Sequence, residues 1–530
     1  MQHSVFPINS LPSCRMVDQG IDELVHDPDI KTRAAELYYG LVDADVIFYF
    51  SDIAIQAEAM GAKVTYSRTG MPAVSSPAEA VNVPRASDVS RMRANAQVVS
   101  SLAVSFPERF RAALIYGPFT VAGQVVGEET LMRETASRPQ EAEKILEQSF
   151  ECARSYADLL IEAGANLVWV SDPLAALIAP EDFQKFAGSY LRRLFEHYSG
   201  LPGILHICGD TSSIISHMAS TGVTGISFDN CMNLLGIEDY VPEDTLIIGN
   251  LDPVEVVSQG DPAGIAASTR DLAAVMGIKD NFALSTGCAV PPSAPVENVQ
   301  SFMHAGRKAL EELGPFSSHL AKLQQAVYQG LTQETQQLVQ EAGNAGIPAL
   351  TTIRSGLTRA VRKASACYEA GRCHLPSLLL KVDAFYKGFN MLENHDQQSN
   401  GSQPLVLLGT VKGDTHDIGK NLVRIFVQTN GYDVLDLGVN VSAQEFLDAF
   451  LADGPVLIGL SAFTSSSKNQ LQQIIKTFRD SGYTEIPIIV GGAAVNAEVA
   501  RRAGADGYGR DAVRAVELAN RLVAKSLAKA

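Results

Sequence analysis

The sequence of 530 residues holds no uninterrupted apolar run of the roughly 20 residues that a bilayer crossing demands, so no membrane-spanning helix is expected. Its opening stretch, MQHSVFPINSLPSCRMVDQG, lacks both the charged start and the apolar core of a secretory signal. No Lys/Arg-rich block occurs, and the net charge is −17. Both features argue against nucleic acid or an anionic membrane as a general partner. Cysteine is scarce, with seven in the whole chain. These absences favour a cytoplasmic location, where so few thiols serve as ligands, nucleophiles or buried fillers rather than disulfides. Neither an internal repeat nor a low-complexity tract is present.

What is present is a globular composition, 46% apolar and 19% charged, in a chain too long for one ordinary domain. Residues 1–317 alternate β-rich runs with amphipathic stretches. DVIFYF (45–50), AALIYG (112–117), NLVWVS (166–171), GILHIC (203–208), GISFD (225–229), TLIIGN (245–250) and FALST (282–286) read as strands, with AKVTYS (62–67) as another candidate. That count over this length predicts a (β/α)8 TIM barrel, with an open doubly wound sheet as the alternative. Residues 318–392 carry apolar positions at helical spacing broken by Gly and Pro, the pattern of a four-helix bundle. ENHDQQSNGSQ (393–403) is polar and aperiodic and reads as a linker. Residues 404–530 return to strand–helix alternation: PLVLLGTV, DVLDLG, VLIGLSAF, IPIIVGG and GADGYG predict a small doubly wound, flavodoxin-like domain.

The last domain contains GTVKGDTHDIGKNLV (409–423), a histidine between acids just after a strand. Alone, His416 is as well read as part of a solvated loop. Asp414-x-His416-x-x-Gly419 is followed, however, by Ser461-Ala-Phe463 and by Gly491-Gly492, each at the end of its own strand. This series resembles the DxHxxG…SxL…GG pattern of the cobalamin-binding domains of methionine synthase and corrinoid proteins, with Phe463 where Leu is usual. The resemblance implies a bound corrinoid (cobalamin). His416 would be the lower ligand to cobalt, Asp414 its partner, and Ser461 a hydrogen-bond donor near the displaced base. Gly491 and Gly492 would leave room for the nucleotide tail. By its position before this domain, the bundle resembles the helical cap of such proteins.

In the barrel, His206-x-Cys208 ends one expected strand and Cys288 ends another. Two ligands on one strand end and a distant thiolate suit a catalytic metal site with an open position, although buried Cys and His are common without a metal. Residues 45–310 also resemble the uroporphyrinogen-decarboxylase-like methyltransferases, through SDIAIQAEAMGA, YGPFTVAG, GANLVWVSDPLA, HICGD, IGNLDP and GCAVPPSAPVENV. That resemblance implies Zn2+ on His206, Cys208 and Cys288. Glu58 and Asp172 fall on its motif positions, where support of metal or substrate competes with a plain capping role. Asp229, Asn250 and Tyr116 lie at strand ends, and Cys231 does not match the metal pattern. Cys14, Cys152, Cys367 and Cys373 read as plain thiols. The family's Arg-rich substrate segment is missing at the N-terminus, so porphyrin decarboxylation is not expected, and the first edge of the barrel is left open.

Barrel first and corrinoid last is an order that resembles the bifunctional methyltransferase/corrinoid proteins of methyl-halide users. It implies transfer of a methyl group from a small donor, chloromethane foremost, to the chain's own cob(I)alamin. A second methyltransferase would then carry the methyl to tetrahydrofolate or a thiol, and a reductive activase would rescue oxidised cobalt. Tethering would keep carrier and barrel at high effective concentration. The alternatives are a methylthiol, methylamine or methoxy donor, transfer to coenzyme M, or a corrinoid-binding sensor whose barrel is inactive.

Overall fold

Short apolar runs bounded by glycine, proline and aspartate pair side by side and are joined by amphipathic helices, an arrangement that only a parallel sheet accommodates. The computed structural model describes residues 1, 3–369, 371–393, 404–428, 432–464, 467–492, 494–509 and 512–527. Two units emerge, Met1–Gly388 and Phe389–Ala530. Among the described residues, no helix is long and apolar enough to cross a membrane.

In the first unit, β1 (Val5–Ile8) and β2 (Val46–Ile47) are followed by a separate antiparallel hairpin, β3 (Lys63–Thr65) and β4 (Ala73–Ser76). Then come β5 (Phe110–Tyr116), β6 (Leu167–Ser171), β7 (Gly203–Ile207), β8 (Gly225–Phe228), β9 (Leu246–Leu251) and β10 (Phe282–Ala289). Eight strands form one parallel sheet in the order β1-β10-β9-β8-β7-β6-β5-β2. Its two ends meet where Asp45 N–H donates to Val5 O at 3.1 Å and Val5 N–H to Asp45 Oδ2 at 2.7 Å. The sheet is a nearly closed TIM-like barrel rather than an open one. Two expectations are corrected here. The strand in AKVTYS belongs to the hairpin, and VFPI supplies the barrel strand that closes the N-terminal edge.

Phe6 on β1 and Trp169 on β6 are not neighbours in the sheet, yet their rings meet edge to face at 6.1 Å, and Phe48 meets Trp169 at 5.2 Å. All three are buried, so they fill the barrel interior, and Trp169 also lies 6.4 Å from the His206 ring above it. Filling of this kind makes a barrel a packed core with its chemistry at the C-terminal rim.

Four helical segments follow the barrel: Ser317–Gln329, Thr332–Asn344, a third running through Arg359–Glu369, and Leu375–Glu393. The third packs on the barrel. Glu238, 2% exposed at its side chain, receives Arg359 Nη2 and Lys363 Nζ, each at 2.6 Å. Arg359 Nε also donates to Val275 O, its Nη1 donates to Gln324 Oε1 at 2.6 Å, and Arg362 pairs with Asp271 at 3.0 Å. Withdrawing such charges from water costs several kcal/mol per ion. The arrangement is tolerable because each buried charge faces an opposite charge or a hydrogen-bonding group. The bundle is thus an integral part of the barrel unit. The linker expected at 393–403 lies, beyond Glu393 at the end of the last helix, outside the described residues.

In the second unit all five expected strands form: β11 (Leu405–Thr410), β12 (Asp433–Asp436), β13 (Leu457–Ser461), β14 (Ile488–Gly491) and β15 (Gly507–Gly509). They run parallel in the order β12-β11-β13-β14-β15. The chain leaves β11 for one side and returns at β13 on the other. The crevice at the C-terminal ends of β11 and β13 is therefore the topological switch point where such sheets receive ligands.

Candidate functional site

The barrel site grows out of β7. His206 and Cys208 are two residues apart in extended chain, so both side chains point to the same side. Positive φ at Gly209 (+85°) then turns the backbone away. Cys288 arrives near the end of β10, where Thr286 Oγ1 donates to Cys288 O at 2.8 Å and itself accepts Ile8 N–H at 3.0 Å. Closure by β1 therefore helps to seat this cysteine. His206 Nε2 lies 3.2 Å from Cys208 Sγ, and the two sulfurs are 3.5 Å apart. All three donor atoms fall within 4.8 Å of one another. On the far side of the ring, His206 Nδ1 faces Ser227 Oγ at 3.0 Å and Ser227 O at 3.3 Å. A proton on Nδ1 satisfies them and leaves the Nε2 lone pair for a cation.

The thiols share a proton unequally. Hydrogen bonding from Cys208, reinforced by His206, draws Cys288 well below the ordinary thiol range despite its burial. Cys208, which donates to that thiolate and is partly shielded from water, is pushed up. One thiolate, a second thiol and an imidazole at such spacing are a donor set in search of a soft divalent cation.

Asp229 and Asn250 brace the rim above this group. Asp229 Oδ2 accepts Gly209 N–H at 2.9 Å and its Oδ1 accepts Cys231 N–H at 3.1 Å. Asn250 Nδ2 donates to Asp229 O at 2.9 Å and Met232 O at 2.7 Å. Cys231 is exposed and stands outside the donor cluster. Desolvation raises the hydroxyl of the half-buried Tyr116 far above the usual range, and the negative charges of Asp52, Tyr156, Cys288 and Cys208 push it the same way.

Asp172 ends β6 and is fully buried, with Oδ1 accepting Thr120 N–H at 2.8 Å and Thr120 Oγ1–H at 2.6 Å. These bonds tie down the first turn of the Pro118–Val126 helix, while Oδ2 has no hydrogen-bond partner among the described residues and lies over Gly117, where a Cβ would come within 2.2 Å of it. Burial pushes its pKa up to about 6. Glu58 is held by Arg91 at 2.7 Å and by the Tyr66 hydroxyl, and Arg91 also grips the buried Asp52. Arg91 and Asn95, buried one turn apart on the Ser90–Ser105 helix, were not singled out from sequence. Polar residues at i and i+4 among core-facing Met92, Val98, Val99 and Leu102 were the available signal.

The second cluster surrounds the switch point. Asp414 is 1% exposed, and its carboxylate gathers the loop. Oδ1 accepts His416 N–H at 3.1 Å and His416 Nδ1–H at 2.8 Å. Oδ2 accepts Phe463 N–H at 2.6 Å, Thr464 N–H at 3.1 Å and Ser467 Oγ–H at 3.0 Å. Burial alone would raise this carboxyl, but the hydrogen bonds from His416, Phe463 and Thr464 outweigh it and hold the group well below the carboxylate range. With Nδ1 occupied, Nε2 of the half-exposed imidazole is left for a ligand. Ser461 pairs in register with Thr410 and Gly491 across the sheet. Gly492, at φ +114°, lies so close to Ala462 O that a Cβ would meet it at 2.2 Å. A Cβ on exposed Gly419 would meet no described atom within 4 Å, so the loop is open beside His416 at this position. An available imidazole nitrogen, an open flank and a side-chain-free strand end fit a corrinoid.

The uroporphyrinogen decarboxylase (URO-D) model matches residues 8–309 and the B12 binding domain model residues 404–517. The chain belongs to the URO-D family. A methylated-thiol–coenzyme M methyltransferase of Methanosarcina mazei is 28% identical over 48% of this chain and 70% of its own length. A corrinoid protein of Desulfitobacterium hafniense is 30% identical over 39% of this chain and 99% of its own. A solved methyltransferase of Methanosarcina mazei superposes with a TM-score of 0.53 at 21% identity, over 58% of this chain and 92% of that one, and shows the shared fold. The chain is a corrinoid-dependent methyltransferase of the URO-D family fused to its corrinoid-binding domain.

Proposed function

We propose that His206, Cys208 and Cys288 bind Zn2+ and that the barrel takes a methyl group from a small one-carbon donor, a methyl halide such as chloromethane or a methylated thiol. Convergence of an imidazole and two sulfurs within 4.8 Å at the C-terminal rim carries this reading. When bound, zinc would supply Lewis acidity toward the departing halide or thiolate, and a corrinoid on His416 would supply a nucleophilic cobalt. The named activity of the 28% identical relative supports the thiol branch.

The chain's own residues supply position. Ser227 fixes the His206 tautomer, Gly209 and Asp229 turn the rim away from the donor atoms, and Trp169 closes the floor beneath the imidazole. Asp414 fixes the His416 tautomer in the same way. Acceptors of the methyl group beyond this chain are a tetrahydrofolate- or thiol-directed methyltransferase, with a reductive activase as the maintenance partner.

The test is anaerobic. Purified protein loaded with hydroxocobalamin and reduced is given chloromethane or dimethyl sulfide while its visible spectrum is recorded, and metal content is measured in parallel. One zinc per chain and a donor-dependent spectral change, both lost in Cys208→Ala, are expected. A metal-free wild type, or a Cys208→Ala variant that reacts as fast as wild type, would sink the proposal.

A further inference from the structure

The second unit holds an aromatic ring that the motif does not require. Phe463 is 49% exposed, so it does not serve the core. Its ring lies flat on the His416 imidazole, with centroids 4.1 Å apart and planes inclined by 18°. An imidazole turns about two side-chain torsions. The hydrogen bond from Nδ1 to Asp414 restrains the ring edge but still permits rotation about the N–O line. A flat surface against one face removes that remaining freedom. The same carboxylate holds Phe463 in place, since Oδ2 accepts Phe463 N–H at 2.6 Å. Asp414 therefore anchors both the ring and the plate on which it rests. Leucine, the family's residue at this position, could cover the imidazole but offers no plane to align it.

We propose that Phe463 is a positioning residue for the corrinoid's lower ligand, stacking on His416 so that Nε2 is pre-aimed before the cofactor arrives. This rests on the corrinoid reading of the same loop. Aromatic pairs of this kind bring roughly a two- to tenfold change in an equilibrium, and a ligand that needs no reorientation gains that factor as affinity. The pair also shades one face of the imidazole from solvent.

The experiment uses the full chain as wild type, Phe463→Leu and Phe463→Tyr, with hydroxocobalamin as the probe. Without corrinoid, the ring proton of His416, assigned by its loss in His416→Gln, is expected upfield in wild type and Phe463→Tyr and shifted downfield in Phe463→Leu. Hydroxocobalamin is expected to bind Phe463→Leu about two- to tenfold more weakly than wild type, with Phe463→Tyr restored. In wild type reduced to the cob(II) state, nitrogen splitting in the electron paramagnetic resonance spectrum reports the histidine ligand. Its absence would overturn the ligand reading and the proposal with it. Splitting present, with Phe463→Leu equal to wild type in both affinity and proton position, overturns the proposal alone.

Discussion

Asp414→Asn tests the organisation of the corrinoid loop most directly. The carboxylate accepts from two groups of His416 at one oxygen and from Phe463, Thr464 and Ser467 at the other. An amide has a single oxygen, so either the His416 side or the Phe463 side must face an N–H2 that repels its donors. Two or three charge-assisted bonds are lost, each roughly 1.5–3 kcal/mol, and after relaxation the second unit should lose about 3–5 kcal/mol. Hydrogen exchange read by segment is the suitable assay: peptides over 405–410 and 457–461 should open more easily by that amount, while peptides over the barrel strands should not change. The carboxyl is held below its ordinary range in the folded protein, so its stabilisation is present above that range and fades as the pH falls below about 4. The variant should lack that acid-side fade. A loss under about 1 kcal/mol, or equal acid sensitivity in both proteins, would refute the claim that this carboxylate organises the loop.

Gly419→Ala should leave the folded domain within about 0.5 kcal/mol of wild type, because its Cβ enters open space, yet weaken hydroxocobalamin binding at least tenfold. Gly492→Ala, by contrast, should cost the same domain more than about 2 kcal/mol through positive φ and the approach to Ala462 O, read as a lower denaturation midpoint. Asp172 has a folded pKa near 6 against an ordinary 3.8, so ionisation opposes folding as the pH rises through that window. Asp172→Asn should remove this pH dependence and gain about 3 kcal/mol relative to wild type between pH 3.5 and 8, measured by denaturation at each pH. Glu238→Gln strands the buried Arg359 without its counter-charge and should cost the barrel unit roughly 3–5 kcal/mol; a thermal melt displaced by less than 1 °C would contradict this.

Much of the fold was legible because each barrel run and each strand of the last domain is an apolar segment closed by Gly, Pro or Asp. VFPI was missed because four residues interrupted by proline carry almost no periodic signal. AKVTYS was ambiguous because a strand's sequence does not name the strand it pairs with. His206 and Cys208 were legible through their two-residue spacing, and Cys288 through its place at the end of another expected strand; the resemblance then joined the three into one ligand set. Ser227 and the Phe463 plate were out of reach, since each acts through a contact between segments distant in sequence, and Arg91 showed only as a polar position on the core-facing side of its helix. Attachment of the bundle to the barrel was hidden for the same reason, because Arg359 and Glu238 each look like ordinary surface charges in their own helices.

That attachment decides how this protein can be taken apart and recombined. A barrel separated from its bundle would keep Lys279 beside Glu238, at 3.7 Å, but lose the closer Arg359 and Lys363, while Arg362 in the bundle would lose Asp271. Exchange of modules with other methyltransferases is therefore expected to go best when barrel and bundle are inherited together. The corrinoid domain, replaced as one piece behind the fourth helix of the bundle, leaves those pairs intact.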